Sequence, residues 1–540
     1  MKPIWKLGLG IAAGLLVFFV IANWYVSHRW VPRLETQLEA LVASETDGLY
    51  RLAYDSLRVS LFTGSAEATT VQLIPDTAAR NTVYDIRIGR LQVKGAGLLR
   101  LLFSGKVSIN TVVIDKPTVR LILGGQSDTA NADTANESFF ERLQHTLNGT
   151  RVKHIVLNEG QLALTARNDA TRLLIDQMDV TIGDLRIDSV AWRDTTRLYY
   201  AKNMEVDARN VSYTRGDSLY RLRLKALKMS MAQRELLIRD LQYGLTVSKA
   251  AFYRQVGLAE DIADVNIESV RLEAIDAAQW TAQGLLAAGA LHIDSGAISI
   301  YKDKLQPNPP ENKIGKSPHQ QLMSWEQRIR IDSVRLGALD IRFTEVSDQT
   351  GKAGSVTFEQ TEAMIRNVTN DTVGLRHNRF LTFDARSKVM GAGDLSVSFR
   401  FDLLDSLGGH TYEAELGPMN GNAFNRMLTP HLNVEVEHAD IQSMRLEMKA
   451  DDRRTEGTLQ FDYQGLKVNL LEGSGRNAGE RKSVVSFFAN RFLLNDSNPD
   501  ANGVYHTGTV YISRPETFSF FKMIWRSIRE GTKACIGLGD

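Results

Sequence analysis

The stretch Leu98–Gly124 constrains the fold more than any other part of the sequence. After a short apolar segment and a glycine at Gly105, apolar and polar residues alternate. The alternating positions on one side are Val107, Ile109, Thr111 and Val113. A period of two is typical of a strand that buries one face and exposes the other. The stretch therefore predicts β-structure.

A second alternating segment follows the first after Asp115–Pro117. Its apolar positions are Val119, Leu121 and Leu123. Proline has no backbone N–H group and cannot donate to a strand ladder, so we expect Pro117 in a turn or at an edge. The stretch is thus interpreted as two strands separated by a tight break.

The same pattern of alternation, small polar turn and renewed alternation recurs along the chain. The copies are His154–Leu164, Leu185–Val190, Val265–Leu272, Leu291–Ile300 and Ile329–Phe343. This is a supersecondary repeat of loose period. Because few amphipathic helices are predicted, the sheet must pack on another sheet or curl around something apolar. The predicted fold is mainly β: an elongated, curled antiparallel sheet with a few short helices, preceded by a transmembrane helix.

The apolar side of these strands is a candidate lining for a lipid groove. The candidates are Val107, Ile109, Val113, Val119, Leu121, Leu123, Ile155, Leu157, Leu162, Leu164, Ile331, Val334, Leu336, Ile341 and Phe343. An ordinary sheet packed on itself is the alternative. The sequence does not separate the two interpretations, because both require one apolar side.

An uncharged run from Leu7 to Ser27 predicts a membrane anchor. At about 1.5 Å per residue, roughly 20 helical residues cross a hydrocarbon core of about 30 Å. The run is centred on Leu15, Leu16, Val17, Phe18, Phe19, Val20 and Ile21, with Trp24 at its end. A signal peptide cleaved after Ala22 is the alternative.

Composition excludes several classes of function. The 540 residues carry a net charge of +1, so no strong field attracts nucleic acid. A single cysteine allows no internal disulfide. We divide the chain into the anchor (1–30), a β-region (31–304), a Pro-rich loop (305–320), a second β-region (321–514) and a C-terminal helix with tail (515–540).

The sequence contains no catalytic or metal-binding signature. It has no Gly-x-Ser-x-Gly elbow, Walker loop or His-Glu-x-x-His motif. His431 and His438 are expected at a solvated surface, and Asp188, Asp294 and Asp332 are expected to hydrogen-bond local backbone at turns. We therefore predict no enzymatic activity, no cofactor and no metal.

The segment Pro515–Ile528 predicts an amphipathic helix. Its expected apolar face consists of Phe518, Phe521, Ile524, Trp525 and Ile528. One interpretation is that the helix covers the end of the sheet, whose backbone groups would otherwise be unpaired. The other is that its apolar face and basic residues lie on a lipid surface.

These features together resemble the AsmA family of bacterial envelope proteins. The likeness is carried by the N-terminal anchor, the segment Leu98–Leu121, the repeated Ile-Asp-Ser turns, the region Leu416–Leu470 and the closing FFKMIWRSIREG. The resemblance implies a single-pass inner-membrane anchor with a β-rich body in the periplasm. It also implies a groove associated with moving or shielding phospholipids between the two membranes.

Two functions follow as hypotheses. The first is a non-catalytic protein of the inner membrane that binds phospholipid and helps to move or shield it. The second is an assembly factor for outer-membrane proteins, in which an exposed strand edge pairs with an incoming strand.

Overall fold

The computed structural model describes part of the chain, and all structural statements concern these residues. They are residues 50–60, 64–75, 83–95, 108–122, 149–166, 170–194, 196–198, 200–471 and 494–538. The chain forms two compact units. The first unit comprises Met1–Asp240 with Ala274–Gln283, and the second comprises Leu241–Glu273 with Gly284–Asp540.

Both units are mainly β, so the predicted fold class is confirmed at that level. The first unit contains β1 (Tyr50–Ala53), β2 (Ser56–Ser60), β3 (Ser65–Pro75), β4 (Val83–Lys94), β5 (Ser108–Ile122), β6 (Thr150–Thr165), β7 (Thr171–Ile187), β8 (Ala201–Thr214) and β9 (Tyr220–Ser230). β10 (Glu235–Leu245) leads into the second unit. That unit contains β11 (Ile262–Glu273), β12 (Leu286–Ile293), β13 (Gly296–Asp303), β14 (Ile329–Val346), β15 (Ala353–Thr369), β16 (Phe380–Val389), β17 (Gly393–Asp402), β18 (His410–Leu416), β19 (Met419–Asn420), β20 (Val434–Ala450), β21 (Arg454–Leu470) and β22 (Thr507–Ser513).

The helices of the described residues are short, apart from the last. They are α1 (Ser189–Arg193), α2 (Lys249–Val256), α3 (Ala277–Gln283), α4 (Pro318–Met323), α5 (Thr372–Leu375), α6 (Asn425–Leu432) and α7 (Phe520–Cys535), with a 3-10 turn at Gly421–Phe424. None of them is long and apolar enough to cross a membrane. The predicted anchor, including Leu15–Ile21 and Trp24, lies outside the described residues.

The sheet is mixed, so the expectation of a wholly antiparallel sheet is wrong. β5 runs parallel to β6, and both β12 and β13 run parallel to β14. Parallel neighbours need a crossover of about a dozen residues or more. The chain supplies one between Ile122 and Thr150 and another between Asp303 and Ile329. The Pro-rich stretch 305–320 belongs to the second crossover.

The parallel pairings belong to a block of strands that occurs once in each unit. β4, β5, β6 and β7 form the block in the first unit, and β11, β12 with β13, β14 and β15 form it in the second. Val83 begins β4 and Ile262 begins β11, whereas Thr150 begins β6 and Ile329 begins β14. The distance in sequence from the start of β4 to the start of β11 equals the distance from the start of β6 to the start of β14. The loose repeat in the sequence therefore corresponds to a repeated arrangement of strands.

The predicted turn at Asp115–Pro117 is also wrong, because β5 continues through it. Pro117 pairs with Ile88 of β4, and the backbone bends at Lys116, which has a left-handed φ of 53°. Such a bend interrupts the ladder locally, and an interrupted ladder accommodates a residue without an N–H group. Gly160 of β6 leaves space for the ring, since a Cβ there would lie 3.3 Å from Pro117 Cγ.

The C-terminal helix α7 begins at Phe520 rather than Pro515 and ends at Cys535, and its inward side matches the predicted one only in part. Phe518, Ile524 and Ile528 pack against the core as expected. Ser519 caps its first turn by accepting a hydrogen bond from the Lys522 N–H. The buried side consists of Phe520, Met523, Ser527, Gly531 and Cys535. By contrast, Phe521 and Trp525 are 68% and 44% exposed. The inward side is mostly small because the helix lies very close to the sheet.

The closest approach between α7 and the sheet is at two glycines. A Cβ on Gly508 of β22 would lie 2.2 Å from the Gly531 carbonyl oxygen, and a Cβ on Gly531 would lie 2.7 Å from Leu459 Cβ. Real Cβ atoms are not found at such distances from other atoms, so neither position tolerates a side chain without movement of the helix.

We therefore expect Gly508→Ala to destabilise the second unit by about 1–3 kcal/mol, the usual effect of overpacking. Urea unfolding followed by circular dichroism measures the change. Gly216→Ala is the control, because a Cβ at Gly216 meets no atom within 4 Å. Equal midpoints for the two variants would contradict the close packing of α7.

Candidate functional site

The first unit has an apolar face formed by rows of side chains that cross β5 to β9. Paired residues of neighbouring strands point to the same side of a sheet. Two of the rows are Leu121, Leu164, Leu173, Tyr213 and Leu222, and Val119, Leu162, Ile175, Val211 and Leu224. A third row is Ile114, Leu157, Val180, Val206 and Met229. We call these three rows the open apolar face.

Burial changes steadily along this side of the strands. A fourth row, Val112, Ile155, Ile182 and Met204, is fully buried in the core of the first unit. In the three rows of the open apolar face, Ile114, Leu121 and Leu224 are buried. Val119 and the rest of the third row (Leu157, Val180, Val206 and Met229) are partly buried and pack against the same core cluster. The other members are half-buried in the described structure. The strands therefore have a filled end and an incompletely covered end.

Helix α1 contributes to the filled end. Ala191 of α1 and the nearby Tyr200 belong to the same core cluster as the buried row. Asp188 positions the helix, because its carboxylate accepts hydrogen bonds from the Val190 and Ala191 N–H groups at 3.0 and 2.7 Å. The expected capping role of Asp188 is thus confirmed.

A cluster of arginines around Asp184 stabilises the backbone at this end. Asp184 sits at a left-handed bend of β7 with a φ of 49°. Burial alone would raise the pKa of its carboxyl group, but hydrogen bonds from Arg197, Arg151 and Arg186 lower that pKa to about 2. Arg197, whose side chain is 4% exposed, also donates to the Tyr200 carbonyl oxygen at 3.1 Å. These bonds tie α1 and its following loop to β7.

The structure brings together several of the predicted groove residues in the first unit. Val119, Leu121, Leu157, Leu162 and Leu164 all lie on the open apolar face.

The remaining candidates of this unit lie elsewhere. Ile109 and Ile155 are buried in the core, at 1% and 3% exposure. Val113 points to the opposite side, because it lies between the buried residues Val112 and Ile114 on a regular stretch of strand. Val107 and Leu123 lie outside the described residues.

The candidates of the second unit all lie on β14. Ile331 and Val334 are buried, whereas Leu336, Ile341 and Phe343 are half-buried. Leu336 belongs to a row that crosses the unit, and its members are Val270, Ile293, Leu336, Ala363, Ala385, Val397, Ala414, Leu446 and Leu459.

Helix α7 covers the far end of this row. Tyr412 of β18 donates a hydrogen bond from its hydroxyl group to Ser527 Oγ at 3.2 Å. The Phe520 ring lies 5.8 Å from the Phe399 ring, and Gly531 packs against Leu459. A large part of the apolar side of this unit is therefore filled by the chain itself.

Sequence reasoning missed the part of the open apolar face contributed by β7, β8 and β9. Leu173, Ile175, Val211, Tyr213 and Leu222 were not among the candidates. Their alternation is visible in the sequence, as in Val211–Tyr213 and Leu222–Leu224. The strand register that aligns them with Leu164 and Leu162 was not visible.

The described residues contain no group of three or more His, Cys, Asp or Glu side chains arranged to hold a metal ion. His431 is half-buried in α6, where its Nε2 lies 3.1 Å from the Glu345 carbonyl oxygen. What the open apolar face offers a ligand is apolar contact surface.

The second unit contains a buried histidine. His319 of α4 is 3% exposed, and its ring lies 4.7 Å from the Phe401 ring. Neither ring nitrogen has a hydrogen-bond partner among the described residues. Burial, with a smaller contribution from the neighbouring His410, lowers the pKa of His319 to about 4 from an ordinary value of 6.5.

We expect the second unit to lose stability as the pH falls from about 6.5 to 4, because the unfolded state binds a proton on this imidazole and the folded state does not. The loss is at most ~3 kcal/mol. Urea unfolding at a series of pH values measures it, and His319→Phe should reduce the slope in this range. Part of the slope should remain, because burial also lowers the pKa of His410 and of His431. His377→Gln, at an exposed position, is the control; an unchanged slope in His319→Phe would refute the assignment.

Comparison of the chain with protein-family models and with curated proteins found no match.

Proposed function

We propose that the protein binds phospholipid acyl chains along the open apolar face and helps to move or shield phospholipid between envelope membranes. In this proposal the N-terminal segment Leu7–Ser27 holds the chain in the inner membrane, and the β-rich body lies in the periplasm. The protein catalyses no reaction. Its role is to keep hydrocarbon out of water.

The observation that carries the proposal is the half-buried state of three aligned apolar rows. Contiguous apolar surface that remains exposed in a folded protein marks an interaction site. Side chains such as Leu164, Leu173 and Ile175 keep part of their surface in water; Leu164 is next to the last residue of β6, and Leu173 and Ile175 lie in the first five residues of β7. Each methylene group of an acyl chain buried there would contribute about 0.8 kcal/mol.

The dimensions of the face suit an acyl chain. The rows cross five strands, β5 to β9, and neighbouring strands lie about 4.8 Å apart. Each row is therefore roughly 19 Å long by this spacing. The other side of the same strands is polar at many positions, including the exposed Arg120 and Arg223, so an apolar ligand has one side to bind.

The chemistry of the face favours hydrocarbon over a polar ligand. Its three rows contain only aliphatic side chains, methionine and one tyrosine, and no charged group. The resemblance to the AsmA family supports a phospholipid as the source of that hydrocarbon.

The test is a charge placed within a row. Ile175→Asp should reduce the amount of bound phospholipid at least tenfold, because acyl chains on the face would have to bury an unpaired carboxylate. The full-length protein is incubated with a phospholipid that carries a photoreactive acyl chain, and crosslinked lipid is measured by mass spectrometry.

Leu174→Asp is the matched control. Leu174 is 38% exposed and lies next to Ile175 in β7, but its side chain points to the opposite side of the sheet. It should retain lipid as the unmodified protein does. Equal retention by both variants would refute the proposal, and crosslinks to unfolded outer-membrane proteins without lipid would favour an assembly function.

A further inference from the structure

The side of α7 that points away from the sheet carries two large aromatic residues next to basic residues. Phe521, Trp525 and Arg529 follow one another at intervals of one turn, so they lie along one line of the helix. Lys522 is exposed beside them. We call these four residues the outer face of α7.

None of these residues is needed to attach the helix to its own unit. Attachment is provided by the opposite side, where Ser527 accepts a hydrogen bond from Tyr412 and Cys535 Sγ lies 3.5 Å from the Leu459 carbonyl oxygen. Exposures of 68% for Phe521 and 44% for Trp525 leave most of the first ring and much of the second in water. Such surface is unfavourable unless something covers it.

The helix is strongly basic. Its basic residues are Lys522, Arg526, Arg529 and Lys533, and its acidic residue is Glu530. Glu530 forms ion pairs with both Arg529, at 2.7 Å, and Lys533, at 3.2 Å. One carboxylate therefore serves two cations, and the helix keeps an excess of positive charge.

The charges around Lys522 are of both signs. Lys522 lies near the cations Lys304 and Arg526 as well as the carboxylates Glu345 and Asp348. Glu345 is already in an ion pair with Lys304. An anion at the outer face of α7 would therefore meet cations that lack sufficient counter-charge.

The aromatic and basic groups are arranged as in helices that lie in a membrane interface. Tryptophan is favoured at the level of the lipid headgroups, and basic side chains are attracted to anionic lipids. The cations also pack against aromatic rings, since Lys522 Nζ lies 3.8 Å from the centre of the Phe518 ring. Aromatic insertion and charge attraction would thus act on the same side of one helix.

We propose that the outer face of α7 docks on the surface of an anionic lipid bilayer, with Phe521 and Trp525 inserted at headgroup depth and the basic residues facing lipid phosphates. This surface is separate from the open apolar face, and the proposal does not depend on acyl-chain binding there. It gives the protein a bilayer contact far along the chain from the predicted N-terminal anchor.

The test uses the full chain reconstituted in phosphatidylcholine nanodiscs, so that its N-terminal segment is already in lipid. Capture by sedimentable vesicles is measured with two compositions, phosphatidylcholine alone and equal parts of phosphatidylglycerol and phosphatidylcholine. We expect at least tenfold more capture by the anionic vesicles, and weaker capture at high salt because the attraction is screened. The double variant F521S/W525S should lose at least tenfold of this capture.

Tyr511→Ser is the matched control, because Tyr511 is a comparably exposed aromatic residue, at 65%, on the side of β22 that faces away from α7. It should be captured like the unmodified chain. Circular dichroism checks that the double variant is folded. Equal capture of the two vesicle types, or undiminished capture of a folded F521S/W525S, would overturn the proposal. The proposal would also be overturned if the unmodified chain were not captured by vesicles but self-associated, and F521S/W525S abolished that self-association. The outer face of α7 would then bind a second copy of the chain.

Discussion

A sheet with one apolar side has to cover that side, and this requirement governs both units. The strands alternate apolar and polar residues along most of their length, so hydrocarbon accumulates on one side. The described helices are too few and short to cover all of it. In the second unit α7 lies across the apolar side and brings Gly531 against Leu459. In the first unit α1 contributes to one end only, and three rows remain half-buried.

The same block of strands therefore has different surroundings in the two units. β4 to β7 and β11 to β15 have the same strand order and the same strand directions. The paired residues of their parallel strands are also equally far apart in sequence. The difference lies in what is added after the block. The second unit ends in a helix with a small-residue side that fits closely on the sheet, whereas β8 and β9 of the first unit extend the apolar rows. Because of this contrast, we propose acyl-chain binding in the first unit and not in the second.

The sequence indicated which side of a strand many residues occupy, but it was less informative about how successive strands are connected. Alternation placed Val119, Leu162 and Leu164 correctly on one side. Proline chemistry suggested that Pro117 ends a strand, but a left-handed residue before it and a glycine opposite it let the strand continue. Parallel pairing was missed because a crossover and a long hairpin loop look alike in sequence. The inward side of α7 was predicted only in part: Ile524 and Ile528 pack against the core, but Phe521 and Trp525 are exposed.

The amino-acid sequence alone determined the β class and the apolar side of most strands, since both follow from a local period of two. It also determined that the last helix is amphipathic and basic. Tertiary structure decided which residues form continuous rows, because a row depends on the register of strands far apart in sequence. It also decided that Phe521 and Trp525 face outward, because the side of α7 that carries Ser527, Gly531 and Cys535 fits closely against the sheet. Those two outcomes depend on long-range packing, and no local pattern encodes them.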